Sequence, residues 1–350
     1  MVNSTARIPG LAGLIQRSPA LIGVLCSFLN LIPVIAGELP NKESGSGRFL
    51  LQWGTEGTET GEFHFPIGIA VSKSDEIYVT DFYNDRVQKF DTLGKFQVSF
   101  AVAPHPGGIA IAPDGNVFVS HFGVSKPNEV RKPDRITVYS PAGKPLREWG
   151  QTGTANSEFD MPGGLAIDKA GRVYVADQTN RRIQVFSGSG EFLAKWGEYG
   201  TANGQFGGNV SPKSRVGGPN FVAIDSLGNI YTTEASVGRV QKFTPQGQFQ
   251  LTWGNNENKR GSFGGLLDSF KLVGPVGICI DQKDRVWVSA VGGRIQQFAS
   301  DGTLLQGFGE KTGTEPGEFR APHGVALDSQ GNLYVVDAFN HRIQKFDVGP

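Results

Sequence analysis

The chain has 350 residues, with 33 basic and 33 acidic side chains and a formal net charge of zero. That balance, with 38% hydrophobic and 19% charged residues, excludes a disordered or fibrous chain. It also argues against a surface built for phosphate backbones, which shows as a basic excess. The two cysteines, Cys26 and Cys279, make no disulfide framework.

In chain order, the first feature is a leader. Arg7 and Arg17 are basic, "ALIGVLCSFLNLIPVIAG" (20–37) is apolar, and no acidic residue precedes Glu38. A basic start, an apolar middle and a small-residue end read as a secretory signal, with Val34 and Ala36 at the two positions that guide cleavage. The alternative is an uncleaved N-terminal membrane anchor, against which Ser27, Asn30 and Pro33 count, because they interrupt the run. The expected organisation is a signal peptide or anchor over 1–36, a linker over 37–47, and one domain over 48–350. The expected location is periplasmic or extracellular, with membrane contact only if the leader is retained. Cleavage leaves a net charge of −2 and Cys279 as the sole thiol; within "GICID" it reads as a small core residue.

From residue 48 onward the chain repeats itself. A three-strand unit opens six times, at Pro66, Pro106, Pro162, Pro219, Pro275 and Pro322, with intervals of 40, 56, 57, 56 and 47 residues. Each opening leads to a short apolar strand, a polar turn, a second strand, a second turn and a third strand such as "RVQKF" (86–90) or "RIQVF" (182–186). Runs rich in Val, Ile, Tyr and Phe between turn residues are strands. A fourth strand ends in an aromatic residue six times: Trp53, Phe100, Trp149, Trp196, Trp253 and Phe308. The first of these precedes every three-strand unit and the last unit has none after it. The count closes if 48–54 pairs with the final third strand. The expected fold is therefore all-β: a six-bladed β-propeller with four-stranded antiparallel blades, its ring closed by the N-terminal strand 48–54 joining the C-terminal blade.

The segments "VTDFYNDRVQKF" (79–90), "VADQTNRRIQVF" (175–186) and "VVDAFNHRIQKF" (335–346), with linkers such as "WGEYGTANGQF" (196–206) and "FGEKTGTEPGEF" (308–319), resemble the NHL repeat. With the leader, the likeness is to exported, bacterial-type NHL propeller proteins. It implies the propeller fold; for function it spans RNA-binding modules, protein-binding scaffolds and, more distantly, lyases and lactonases. The repeat departs from its pattern where Asp is expected: His121, Glu234 and Ala290 stand there in blades 2, 4 and 5.

Six near-copies separate scaffold from site. Arg86, Arg135, Arg182, Arg239, Arg294 and Arg342 open every third strand, so they serve the blade and are not an anion ring. Asp81, Asp177 and Asp337, each with Asn three residues on, read as turn-stabilising residues. Insertions gather on one face, in 123–133, 206–218 and 263–274, and such a face is the binding face of a repeat ring. His105, His121 and His323 fall there outside the repeat consensus, and His64 and His341 read as surface residues without partners.

The ligand-face candidates are His105, His121, His323, Asn220, Glu234 and Asp177. Three converging imidazoles could hold zinc, so His105, His121 and His323 are the metal candidates. The resemblance to peptide-amidating lyases implies zinc-binding His residues just after the opening prolines; only His323 holds that place, the others being Ile67, Gly107, Gly163, Asn220 and Val276. The resemblance to calcium-dependent lactonases implies a carboxylate with Asn ligands, for which Glu234, Asn220 and Asp177 are on the correct face. No phosphate loop, serine elbow or Cys–His metal spacing is present in the sequence. The expectation is a non-enzymatic binding or scaffold module for a protein, peptide or glycan, with no nucleic acid partner. The alternative is a metal-dependent lyase or lactonase-type hydrolase using Zn or Ca at the channel mouth.

Overall fold

The computed structural model describes residues 47–123, 132–215, 217–264 and 274–349. The expected leader over 1–36 and all but the last residue of the 37–47 linker lie outside them. No helix among the described residues is long and apolar enough to cross a membrane.

Six four-stranded antiparallel sheets form the ring. Blade 1 comprises Pro66–Val71, Ile77–Asp81, Arg86–Phe90 and Phe96–Ala101. Blade 2 comprises Pro106–Ile111, Val117–His121, Arg135–Tyr139 and Pro145–Trp149. Blade 3 comprises Pro162–Ile167, Val173–Asp177, Arg182–Phe186 and Phe192–Trp196. Blade 4 comprises Val222–Ile224, Ile230–Glu234, Arg239–Phe243 and Phe249–Trp253, and blade 5 comprises Pro275–Ile280, Val286–Ala290, Arg294–Phe298 and Leu304–Phe308. Blade 6 takes Pro322–Leu327, Asn332–Asp337 and Arg342–Asp347 from the C-terminus and its outer strand, Arg48–Trp53, from the N-terminal side. Arg48 pairs with Asp347 and Trp53 with Ile343, so the ring closes by strand pairing between the two ends of the domain.

Neighbouring blades pack through the repeated aromatics. Trp149 ends the outer strand of blade 2, and its ring lies 6.2 Å from Phe118 of its own blade and 5.7 Å from Phe186 of the next. Trp53, Trp196 and Trp253 make the same wedge between a second-strand Tyr and a third-strand Phe. The following turn must clear the ring: a Cβ on Gly94 (φ +74) would lie 2.8 Å from Trp53. Each wedge buries a large apolar ring on both faces, worth roughly 3 kcal/mol or more by burial alone. This two-sided cover explains the full burial of the second strands, whose five residues from Val173 to Asp177 are all buried, and the lost apolar–polar alternation.

The innermost strands converge tightly at the loop-bearing end. A Cβ on Gly108 would lie 2.6 Å from the Gly163 carbonyl oxygen of the next blade. Hydroxyls seal the same level: Thr80, Ser120, Thr233 and Ser289 donate to the carbonyls of Gly107, Gly163, Val276 and His323 in the following blade. Blades 3 and 6 have Ala176 and Val336 at this position. The junction of blade 6 with blade 1 is bonded at the opposite end, where Ser329 donates its N–H (2.8 Å) and its hydroxyl (2.6 Å) to Asp75, as Ser226 does to Asp284 between blades 4 and 5.

Candidate functional site

The linkers are stapled to the blades, and the staple absorbs most of the repeated polar residues. Arg182 Nε donates to Asp177 at 2.8 Å, and its terminal nitrogens donate to the carbonyls of Thr154, Ala155 and Glu158 in the preceding linker. Asn180 bonds both Asp177 and the Gly153 carbonyl. Arg86 with Asp81 and Asn84, and Arg342 with Asp337 and Asn340, repeat the pattern. Glu234 keeps it with one extra methylene: it takes Arg239 at 2.7 Å and the Gly207 N–H.

Asp177 and Glu234, both candidates from the sequence, are thus fully buried scaffold carboxylates. Burial pushes Asp177 up to about 6 against the pull of the Asp160 N–H, Arg182 and Asn180. It raises Glu234 and Asp337 in the same direction.

Blade 2 lacks the staple for a local reason. Its approach is the short "VAPH" stretch, and Pro104 has no N–H to give where His64, Asp160 and Arg320 donate theirs to the blade carboxylate. His121 replaces the acid and is buried. The carbonyls of Ala103 and Pro104 lie close by, yet neither ring nitrogen makes a hydrogen bond of standard geometry. Burial, then the Arg135 charge, lowers its pKa to about 3, so the ring is neutral. Arg135, without a linker to hold, reaches Glu148 at 3.1 Å.

The structure places the other candidates apart. Asn220 spends its amide oxygen on the Ala235 N–H at 2.9 Å. His105 gives its N–H to Asp85 and lays its ring 5.1 Å from Phe82. His323 is the second residue of the inner strand of blade 6, with Val276 and Ile67, both buried, at the same position of the blades on either side. Among the described residues no three His, Cys, Asp or Glu side chains gather where they could hold a metal ion. Cys279 is partly buried against the blade 5–6 core, and burial pushes its thiol pKa up.

What the sequence reading missed is an aromatic–imidazole surface over blades 6, 1 and 2. Phe65 is its centre: its ring lies 5.1 Å from Phe339, 5.5 Å from His323, 5.9 Å from Tyr83 and 6.2 Å from Phe82. Phe82 continues to Phe122 at 5.7 Å. Tyr83 is 53% exposed and stacks 4.9 Å from His64. His64 and His341, expected to stand without partners, are 6.0 Å apart ring to ring, and the Phe65 N–H donates to His341 Nδ1 at 3.2 Å. On the other side, Phe339 joins an apolar patch of Val276, Val291, Ala321 and Phe221.

The signal was present in the sequence. Phe65 precedes an opening proline, while Phe82, Tyr83, Phe122 and Phe339 sit one or two residues after the blade acid position. Blade 3 carries Met161, Gln178 and Thr179 there.

The rest of this face is polar. The 206–218 loop is tied down by Tyr199 to the Val210 carbonyl, by Arg181 to the Ser214 carbonyl and by an Arg215–Asp160 ion pair. Of the other expected insertions, 124–131 and 265–273 lie outside the described residues. The opposite face holds two open cavities of about 440 and 570 Å³ lined by inner-strand turns. Their carboxylates Asp168, Asp225, Asp281 and Asp328 are each occupied by their own turn's amides.

Six four-stranded blades and ring closure by strand pairing define a six-bladed β-propeller. The family model described as "NHL repeat" matches residues 63–90, 159–186 and 319–346, so the propeller carries NHL repeats in blades 1, 3 and 6. It is 28% identical over 126 residues to "Protein brain tumor" of Drosophila melanogaster, covering 36% of this chain and 12% of that protein. It is 30% identical over 135 residues to "Peptidyl-glycine alpha-amidating monooxygenase B" of Xenopus laevis, covering 37% of this chain and 15% of that protein. The alignments therefore span a small part of either relative. Among solved structures, a streptogramin B lyase superposes with a TM-score of 0.55 at 14% identity, over 85% of this chain and 96% of that one. At that identity the likeness shows the fold alone.

Proposed function

We propose that this propeller is a binding module whose protein or peptide ligand seats on the loop-bearing face, with the aromatic–imidazole surface of blades 6, 1 and 2 as its contact. One observation carries the reading: large rings gather on three adjacent blades at positions where blade 3 carries Met, Gln and Thr, and Tyr83 is left 53% exposed. Aromatic groups half-open to solvent are the usual anchors of an interface. The leader-like 1–36 supports a location outside the cytosol. The alternative, a metal-dependent lyase or lactonase-type hydrolase, would rest on His323 alone, since Ile67 and Val276 flank it and the Asn220 oxygen is engaged.

The test is selection of binders to the full chain from a displayed library of random linear peptides. Binders should lose affinity with Tyr83→Ala or Phe339→Ala and keep it with Leu227→Ala on the opposite face. Binders that respond only to Leu227→Ala refute the proposal.

A further inference from the structure

The two imidazoles beside Phe65 are fixed in opposite tautomers. His323 Nδ1 lies 2.7 Å from the Ala321 carbonyl oxygen. A carbonyl only accepts, so Nδ1 carries the proton and Nε2 is a bare acceptor. Burial lowers the pKa of this ring and keeps it neutral. His341 is the reverse. Its Nδ1 accepts the Phe65 N–H at 3.2 Å, so in the neutral ring the proton sits on Nε2, which donates. The backbone holds this arrangement: His341 is left-handed at φ 53 and returns its N–H to the Ala338 carbonyl at 3.2 Å. Neither Nε2 is among the buried polar atoms that lack a partner, and no protein group is hydrogen-bonded to either among the described residues. Both residues are only partly buried, and each Nε2 keeps a free hydrogen-bonding position.

We propose that this pair reads the uncharged backbone amides of a bound polypeptide segment: a ligand N–H donates to His323 Nε2, a ligand C=O accepts from His341 Nε2–H, and an adjacent apolar side chain lies on Phe65, Tyr83 and Phe339. The inference rests on the loop-face binding reading above and assigns its ligand class. A fixed acceptor and a fixed donor, each held against Phe65, match a peptide backbone, whose N–H and C=O cannot exchange roles. Sugar hydroxyls donate or accept at will and gain nothing from locked tautomers. An anionic ligand would meet the lone pair of His323 Nε2 head-on. Metal binding through His341 Nε2 would need the proton on Nδ1, and that would break the bond from Phe65.

Two measurements test the assignment on the full chain. Imidazole ¹⁵N spectra at neutral pH should show His323 protonated at Nδ1 and His341 at Nε2. A linear peptide selected from the random display library should bind His323→Phe about tenfold more weakly, the loss expected for one hydrogen bond. It should recover most of its affinity with His323→Gln, whose side-chain oxygen stands near the Nε2 position. Thermal melting confirms that both variants fold. Nε2 protonation of His323, unchanged affinity in His323→Phe, or preference of the aromatic–imidazole surface for sugars on a glycan array each overturns the amide assignment. Peptides that depend on Tyr83 but ignore His323 overturn this inference alone. A library yielding no peptide dependent on Tyr83 overturns the loop-face reading with it.

Discussion

Replacing Arg182 with Ala tests whether the repeated Arg is a linker staple, because blade 2 supplies its own control. Arg182 and Asp177 are 7% and 0% exposed in their side chains and 2.8 Å apart. The substitution removes the bond to Asp177 and those to Thr154, Ala155 and Glu158. The linker carbonyls can regain water, so the main cost is Asp177 left buried without its cation. Breaking a buried pair by removing one partner costs about 3–5 kcal/mol. Arg135→Ala, at the same repeat position, loses a pair with a Glu148 that is 55% exposed. Such pairs contribute about 0–1 kcal/mol. The assay is denaturant unfolding followed by tryptophan fluorescence, comparing midpoints at unchanged slope. The expected gap between the two variants is about 2–5 kcal/mol. Equal destabilisation by both would refute the staple and return the Arg ring to the surface chemistry that the internal control excluded.

Three further outcomes follow from the same structure. Trp149→Phe should cost under about 1 kcal/mol, because the indole Nε1 is buried without a partner and blades 1 and 5 carry Phe100 and Phe308 at the same place; Trp149→Ala should cost about 3–5 kcal/mol. His121 has a folded pKa of about 3, below its unfolded value of 6.5. The unfolded chain therefore binds its proton first, and stability present above pH 6.5 is lost as pH falls toward 3, at up to about 1.4 kcal/mol per pH unit. His121→Asn should flatten that part of the profile. The difference between the two profiles isolates His121 from Asp177, Glu234 and Asp337, whose raised values act in the opposite sense. Finally, metal analysis of purified protein should find no stoichiometric zinc or calcium that depends on His323, and chelation should leave the melting temperature unchanged; metal lost on His323→Ala would favour the enzyme alternative.

The blade count, the strand-to-strand order and the closing strand at 48–53 were all legible as a repeat, since every blade faces the same packing problem and answers it with the same residues. The roles of Arg182 and Asp177 were legible only as structural, because the carbonyls they hold lie in the linker 24–28 residues earlier. His64 and His341 are 277 positions apart in the chain and become neighbours only because the ring closes between blades 6 and 1.

The sequence by itself determined the architecture: periodic strands, an aromatic at the end of each outer strand, and one strand displaced to the N-terminal side. Those features recur, and recurrence can be read along the chain. Only the tertiary structure decided the surface. A ligand face is made where the blades differ, and bending the chain into a ring brings Phe339, Phe65 and Phe122 from three blades onto one patch. The tautomers of His323 and His341 were decided at the same level, because each is set by a single backbone group, the Ala321 carbonyl or the Phe65 N–H, that the fold places against the ring.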